Sequence, residues 1–146
     1  MTDLPVSRSG DDCIVTCVHD MTKRAHWRAC GRTVDSPPFG RIVIDDIVRL
    51  HGVPRQVLTD PDVRFTAGYW KDVAWILQTK LLMSTAFHPE MGGLSENSNK
   101  TIICYFSGYA THDQPNWDDY LPLAEDGYNC SVHHSMQPTP FELDHG

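Results

Sequence analysis

The sequence predicts an α/β sandwich, a sheet with helices on both faces. Three observations carry that prediction. Two short strand-like runs open the chain at 13–19 and 25–30, helical and strand patterns then alternate, and 146 residues are enough to bury one sizeable core. With no internal linker, repeat or low-complexity segment, a single domain over 1–146 is expected.

Each element has its own warrant. After a polar lead-in with a Ser-Gly-Asp-Asp turn, "CIVTCVH" (13–19) is β-branched and short, as a buried strand should be. "AHWRAC" (25–30) alternates and is expected to pair with it. "SPPFGRIVIDDIVRLHG" predicts a helix with Ser36 as N-cap, Pro37 in the first turn, Val43, Ile47 and Leu50 on one face, and Gly52 as its stop. "RQVLTD" (55–60) is a short strand ending on an acid. Thr66 is positioned to cap a second helix with a Trp70, Val73, Leu77 stripe, and "KLLMST" (80–85) is another strand. A loop with Pro89, Gly92 and Gly93 leads into a helix from about Leu94 to Tyr109. "NWDDYLPLAEDGYN" predicts a last helix, with Asn116 as cap and Asp118 and Asp119 favourable at its N-terminus. The tail from Ser131 reads as loop.

Composition removes several function classes. An apolar content of 40% and a charged content of 21% are ordinary for a globular domain. No apolar run approaches the roughly 18 residues of a membrane span, and the polar N-terminus is no signal peptide. The five cysteines (13, 17, 30, 104, 130) include no CxxC pair and resist complete pairing, which predicts reduced thiols in an intracellular protein. The net charge is −7, unevenly spread. All 12 Lys and Arg lie in residues 1–100 beside 12 acids, and the seven remaining acids follow Thr101. A phosphate-binding surface must therefore belong to the first two thirds, and duplex binding should be weak and salt-sensitive.

Two acids stand out. Asp60 follows the apolar "QVL", so it should project from the C-terminal end of a strand, where open α/β sheets place ligands. Glu96 falls in the first turn of a predicted helix, where the positive dipole end favours a carboxylate. There are 35 residues between them. Among 19 acids such a separation means little alone, and a strand-to-turn Asp with a helix-start Glu is the plain structural alternative.

The flanking motifs add to this. "VLTDPDVRFTAGYW", "STAFHPEMGGLSENSNKT", "WDDYLPLAEDGYN" and "TPFELDHG" occur in order, preceded by "LPVSRSGDDCIVT" and "TKRAH". Together they resemble the integrase catalytic core of gypsy-type long-terminal-repeat retrotransposons, relatives of the retroviral integrases, over essentially the whole chain. The resemblance implies an RNase H-like fold, a mixed sheet flanked by helices, with divalent metals on three acids. Two of these acids map onto Asp60 and Glu96. Mg²⁺ or Mn²⁺ is the implied cofactor, since phosphodiester chemistry wants hard cations on oxygen ligands. Lys100 lies four residues after Glu96, hence on the same helical face, and is implied as a DNA phosphate contact with Asn97 and Asn99. A solvated surface lysine is the alternative. DNA and a second copy of the chain are the implied partners, without a membrane or small-molecule substrate, in the nucleus or the cytoplasm.

The pattern also breaks. The family's first acid lies a few residues before its Leu-Pro, and Leu4-Pro5 here follows only Met1, Thr2 and Asp3. The first strand is therefore expected to be largely missing with its acid. Asp3 is too close to the Leu to replace it, and Asp20 is a poorer candidate. "EMGG" stands where relatives usually show Thr-Asp-Gly, His19 replaces a common Asp, and "EDGYNC" puts Asp126 and Gly127 in a packed helix at a cost of about 1 kcal/mol for the glycine. These departures imply an inactive or severely impaired copy. A non-catalytic DNA-binding or dimerisation remnant is the alternative from a different class, and a metal-dependent nuclease outside transposition is a third. The eight histidines suggest no zinc site: His112, His133, His134 and Cys130 fit no standard spacing. Cys13 and Cys17 share a strand face and are expected to pack in the core. Trp27, Trp70, Trp75 and Trp117 are expected in the core or a dimer surface.

Overall fold

In the computed structural model of the chain the described residues are 4–31, 36–59, 68–83, 103–104, 115–132 and 138–146. The chain divides into two compact units, one formed by Met1–Arg32 with Ser95–Gly146 and the other by Thr33–Leu94.

The first unit is built on an antiparallel hairpin. β1 (Cys13–Val18) pairs with β2 (Ala25–Cys30) in a register running from Cys13 opposite Cys30 to Val18 opposite Ala25. Both strands were expected, and β-branched residues in β1 suit a pleated surface. The connection closes with the His19 N–H donating to the Arg24 carbonyl at 2.8 Å, and Lys23 takes a left-handed conformation at φ 58°. Alternation puts Ile14, Ala25, Trp27 and Ala29 on one face. Against that face lies α3 (Leu121–Asn129), whose Leu121, Ala124 and Tyr128 recur at helical spacing, together with Trp117 and Leu4. Trp27 meets Tyr128 with ring centroids 5.7 Å apart, tilted by 51°. Trp117 is fully buried, and its indole N–H donates to the Pro5 carbonyl at 2.7 Å. Each such large apolar side chain contributes about 1.5–3 kcal/mol by leaving water.

α3 spans Leu121–Asn129 and is preceded by a 3₁₀ turn over Trp117–Tyr120. The helix is present as expected, but Asn116 makes no side-chain cap and the first turn is 3₁₀. The physical reason lies in Pro122: proline fits the first turn of an α-helix, where no N–H is needed, and the α-helix accordingly begins at Leu121. Gly127 sits within α3 without ending it. A further correction concerns the tail. Pro140–His145 forms α4, headed by a capping box in which the Glu142 N–H donates to the Thr139 hydroxyl oxygen at 3.2 Å while the Thr139 N–H donates to the Glu142 carboxylate at 2.9 Å. Pro140 is fully buried.

In the second unit a helix runs through α1 (Ser36–Val43), a π-helical segment (Ile44–Val48) and a last turn (Arg49–His51). Gly52, at φ 81°, ends it as expected. The predicted inward stripe is only partly realised: Val43 is buried, Ile47 half-buried and Leu50 54% exposed. The π segment explains this, because its wider turn breaks the 3.6-residue period on which the stripe was counted. β3 (Gln56–Thr59) and β4 (Lys80–Met83) pair in parallel, Gln56 opposite Lys80 and Thr59 opposite Met83. α2 (Gly68–Ile76) lies between them in sequence, as a parallel pair requires, and packs against α1 with Val73 and Ala74 buried. Its end is turned by Gln78, at φ 54°. The Thr79 hydroxyl donates to the Pro54 carbonyl at 2.9 Å, and the Lys80 N–H to that of Arg55 at 3.0 Å, which fixes the register.

Candidate metal centre

β3 supplies the frame for the first acid. The strand ends at the buried Thr59, one position before Asp60, at the C-terminal edge of a parallel pair. Asp60 itself lies outside the described residues, as do Glu96, Lys100, Asn97 and Asn99. Ile103 and Cys104, a few positions further on, are helical and exposed, in agreement with the helix predicted across 94–109. Thr66, also outside the described residues, precedes α2.

The described acids and thiols do other things. Among the described residues no group of three or more His, Cys, Asp or Glu is arranged to hold a metal ion. Asp20 sits on the exposed hairpin turn, 3.0 Å from the Lys23 ammonium. Burial, with Asp118 and Asp12 nearby, pushes the Asp11 carboxyl above its ordinary value. Cys130 is exposed and donates to an Asp126 oxygen at 3.7 Å; partial desolvation, then that carboxylate, raise its thiol and leave it a poor thiolate ligand. His112, His133 and His134 lie outside the described residues.

α3 carries polar side chains whose roles were not read from the sequence. Glu125 and Asn129, one turn apart, lie along the edge of β2. One Glu125 oxygen accepts the Trp27 N–H at 2.7 Å, and the other lies 3.0 Å from His26 Nδ1. Asn129 accepts the Ala25 N–H and donates to the Ala25 carbonyl, both at 2.9 Å. Buried backbone groups on a strand edge must find partners. Here a carboxylate and an amide do for β2 what another strand would. The i, i+4 spacing of Glu and Asn on a helix is the available signal, though it is unspecific without knowing which face meets the sheet.

The chain superposes with a TM-score of 0.75 on the catalytic core domain of BIV integrase, over 97% of this chain and 90% of that one, at 15% identity. It superposes at 0.76 on a chain of the simian T-cell lymphotropic virus intasome in complex with the PP2A regulatory subunit B56 gamma, over 92% of this chain and 52% of that one, at 19% identity. The fold is therefore the RNase H-like fold of a retroviral integrase catalytic core. In sequence the chain is 27% identical over 145 residues to the transposon Tf2-3 polyprotein of Schizosaccharomyces pombe, and equally to the Tf2-4 polyprotein, covering 99% of this chain. It spans 11% of the length of these relatives. No family model matches the chain. The chain is thus similar in fold to retroviral integrase catalytic cores and in sequence to part of transposon polyproteins.

Proposed function

We propose that the chain carries the catalytic-core portion of a retroelement integrase, whose inherited reaction is metal-dependent DNA strand transfer. The agreement of its fold with an integrase catalytic core along almost the whole chain is the observation that carries this reading. Asp60, immediately after β3, and Glu96 are the residues that would hold Mg²⁺ or Mn²⁺, because carboxylate oxygens are the donors hard cations take. When bound, such ions neutralise charge at the attacking and leaving oxygens of a phosphodiester. Lys100 supplies a cation to a DNA phosphate, with Asn97 and Asn99 as hydrogen-bonding neighbours. Two carboxylates balance a pair of dications poorly, so these 146 residues by themselves should be severely impaired. No described helix is long and apolar enough to cross a membrane. The expected compartment is the nucleus, where target DNA lies, or the cytoplasm, and the expected assembly is a homodimer.

A second reading, a non-catalytic DNA-binding or dimerisation module, draws support from the end of α2. Trp75 is 82% exposed and Ile76 70% exposed, an apolar pair of the kind that marks contact surfaces. One experiment separates the readings. The chain is incubated with labelled terminal-repeat DNA ends and Mn²⁺, alongside Glu96→Gln and Asp60→Asn. Weak nicking lost in both variants supports the strand-transfer reading. Binding without nicking, unchanged in both variants, supports the module.

A further inference from the structure

We infer that Cys13 and Cys30 form a redox-modification site, at which peroxide closes an intramolecular disulfide across the β1–β2 ladder. The two residues are direct register partners in the antiparallel pair. Their sulfurs are 3.0 Å apart, both thiols are reduced, and the residues are 1% and 4% exposed. Opposed residues in such ladders have Cα atoms about 4.5–5.5 Å apart, within the roughly 4.4–6.8 Å that a disulfide tolerates. Closing the bond needs the sulfurs to approach by about 1 Å, since an S–S bond is about 2.05 Å long.

The rest of the molecule makes the pair selective. Cys17 lies on the same strand face as Cys13, but its register partner is His26, so no thiol stands opposite. Cys104 and Cys130 are exposed and belong to other elements. The pair also faces away from the Trp27 and Ile14 side of the hairpin, so bond closure does not require that cluster to repack. Cys13 begins β1 and Cys30 ends β2, which places the pair at the terminus of the ladder. Ladder ends open locally more readily than their middles, and such opening admits a small neutral oxidant.

The chemistry balances. One sulfur, as thiolate, attacks a peroxide oxygen; the O–O bond breaks, hydroxide leaves and a sulfenic acid forms. The second sulfur attacks that sulfenic sulfur, the S–O bond breaks and water leaves. Two thiols give up two electrons and two protons, and hydrogen peroxide becomes two waters. A small thiol reverses the bond by exchange.

The test uses the full 146-residue chain, as wild type and as a Cys17→Ser/Cys104→Ser/Cys130→Ser variant. Each is treated with hydrogen peroxide, acid-quenched and mapped without reduction. The expected result is a cross-linked peptide joining Cys13 to Cys30, lighter by two hydrogen atoms, with two thiols lost from the variant and regained with dithiothreitol. The oxidised variant should melt roughly 5–10 °C higher than the reduced one. Should the variant not fold, the wild type decides alone: the same linkage must dominate in buffer and be lost to mixed pairings in concentrated urea. A disulfide between chains, pairing through Cys17, or oxidation confined to Cys104 and Cys130 overturns the inference.

Discussion

At the scale of single residues, the first unit holds polar groups with opposite fates. Thr16 Oγ1 and Trp27 Nε1, on residues opposed in the ladder, are buried without a hydrogen-bond partner among the described residues. An unmet buried hydroxyl costs free energy, so Thr16→Val, which keeps the shape, should stabilise the protein by about 1 kcal/mol in urea unfolding. Asn129 is the converse. Its amide serves both backbone groups of Ala25, and Asn129→Ala leaves them buried and unpaired, at an expected cost of about 1–3 kcal/mol by the same measurement. Asp11 tests the electrostatics. Its raised folded-state pKa means that ionisation opposes folding, so the stability it allows is fully present below the unfolded value of 3.8 and lost as pH rises through the folded value. Asp11→Asn should therefore raise the melting temperature at pH 7, and the advantage should vanish in thermal scans carried below the ordinary carboxylate range.

At the scale of elements, α4 is held by its cap and by Arg24. The Arg24 guanidinium donates to Asp144 at 2.9 Å and lies 5.5 Å from the Phe141 ring centre. The Thr139 N–H, then its hydroxyl, hold the Glu142 carboxyl below its ordinary value. A lowered value stabilises above the unfolded pKa and is lost as pH falls through the folded one. Amide exchange in α4 should thus speed up, relative to α3, on acidification, and Thr139→Ala should produce the same loosening at neutral pH. This helix also shows what was legible. Thr-Pro-Phe-Glu is a capping box with a first-turn proline, a local signal that marks this short helix although the tail from Ser131 reads as loop. β1 to β4 and the three longer helices were legible because β-branched runs, prolines and Gly52 act locally. The π segment was not: Ile44–Val48 carries no residue pattern distinct from an α-helix, so the 3.6-residue period points Leu50 inward while the structure exposes it. Of the candidate site, the strand before Asp60 was legible. The pairing of β2's edge with Glu125 and Asn129 was not, because a contact across about a hundred positions leaves no local trace.

At the scale of the whole molecule, charge sets the expectation for nucleic acid. With a net charge of −7 and every Lys and Arg within residues 1–100, duplex affinity should be low and fall steeply with added salt. Lys100→Ala should reduce the slope of log affinity against log salt by about one, uniformly across DNA sequences, in fluorescence anisotropy titrations. The division of the chain has a different consequence. One unit is contiguous, Thr33–Leu94, whereas the other joins the first 32 residues to those from Ser95 onward, with the Arg8 N–H donating to the Pro115 carbonyl and Trp117 to Pro5. On the ribosome, which emits the N-terminal side first, the β1–β2 hairpin is made well before Trp117 and α3, the elements that pack on its apolar face. During that interval its apolar face lacks the cover that Trp117, Leu121, Ala124 and Tyr128 later supply. Nascent chains of this protein should therefore engage chaperones until α3 has cleared the exit tunnel.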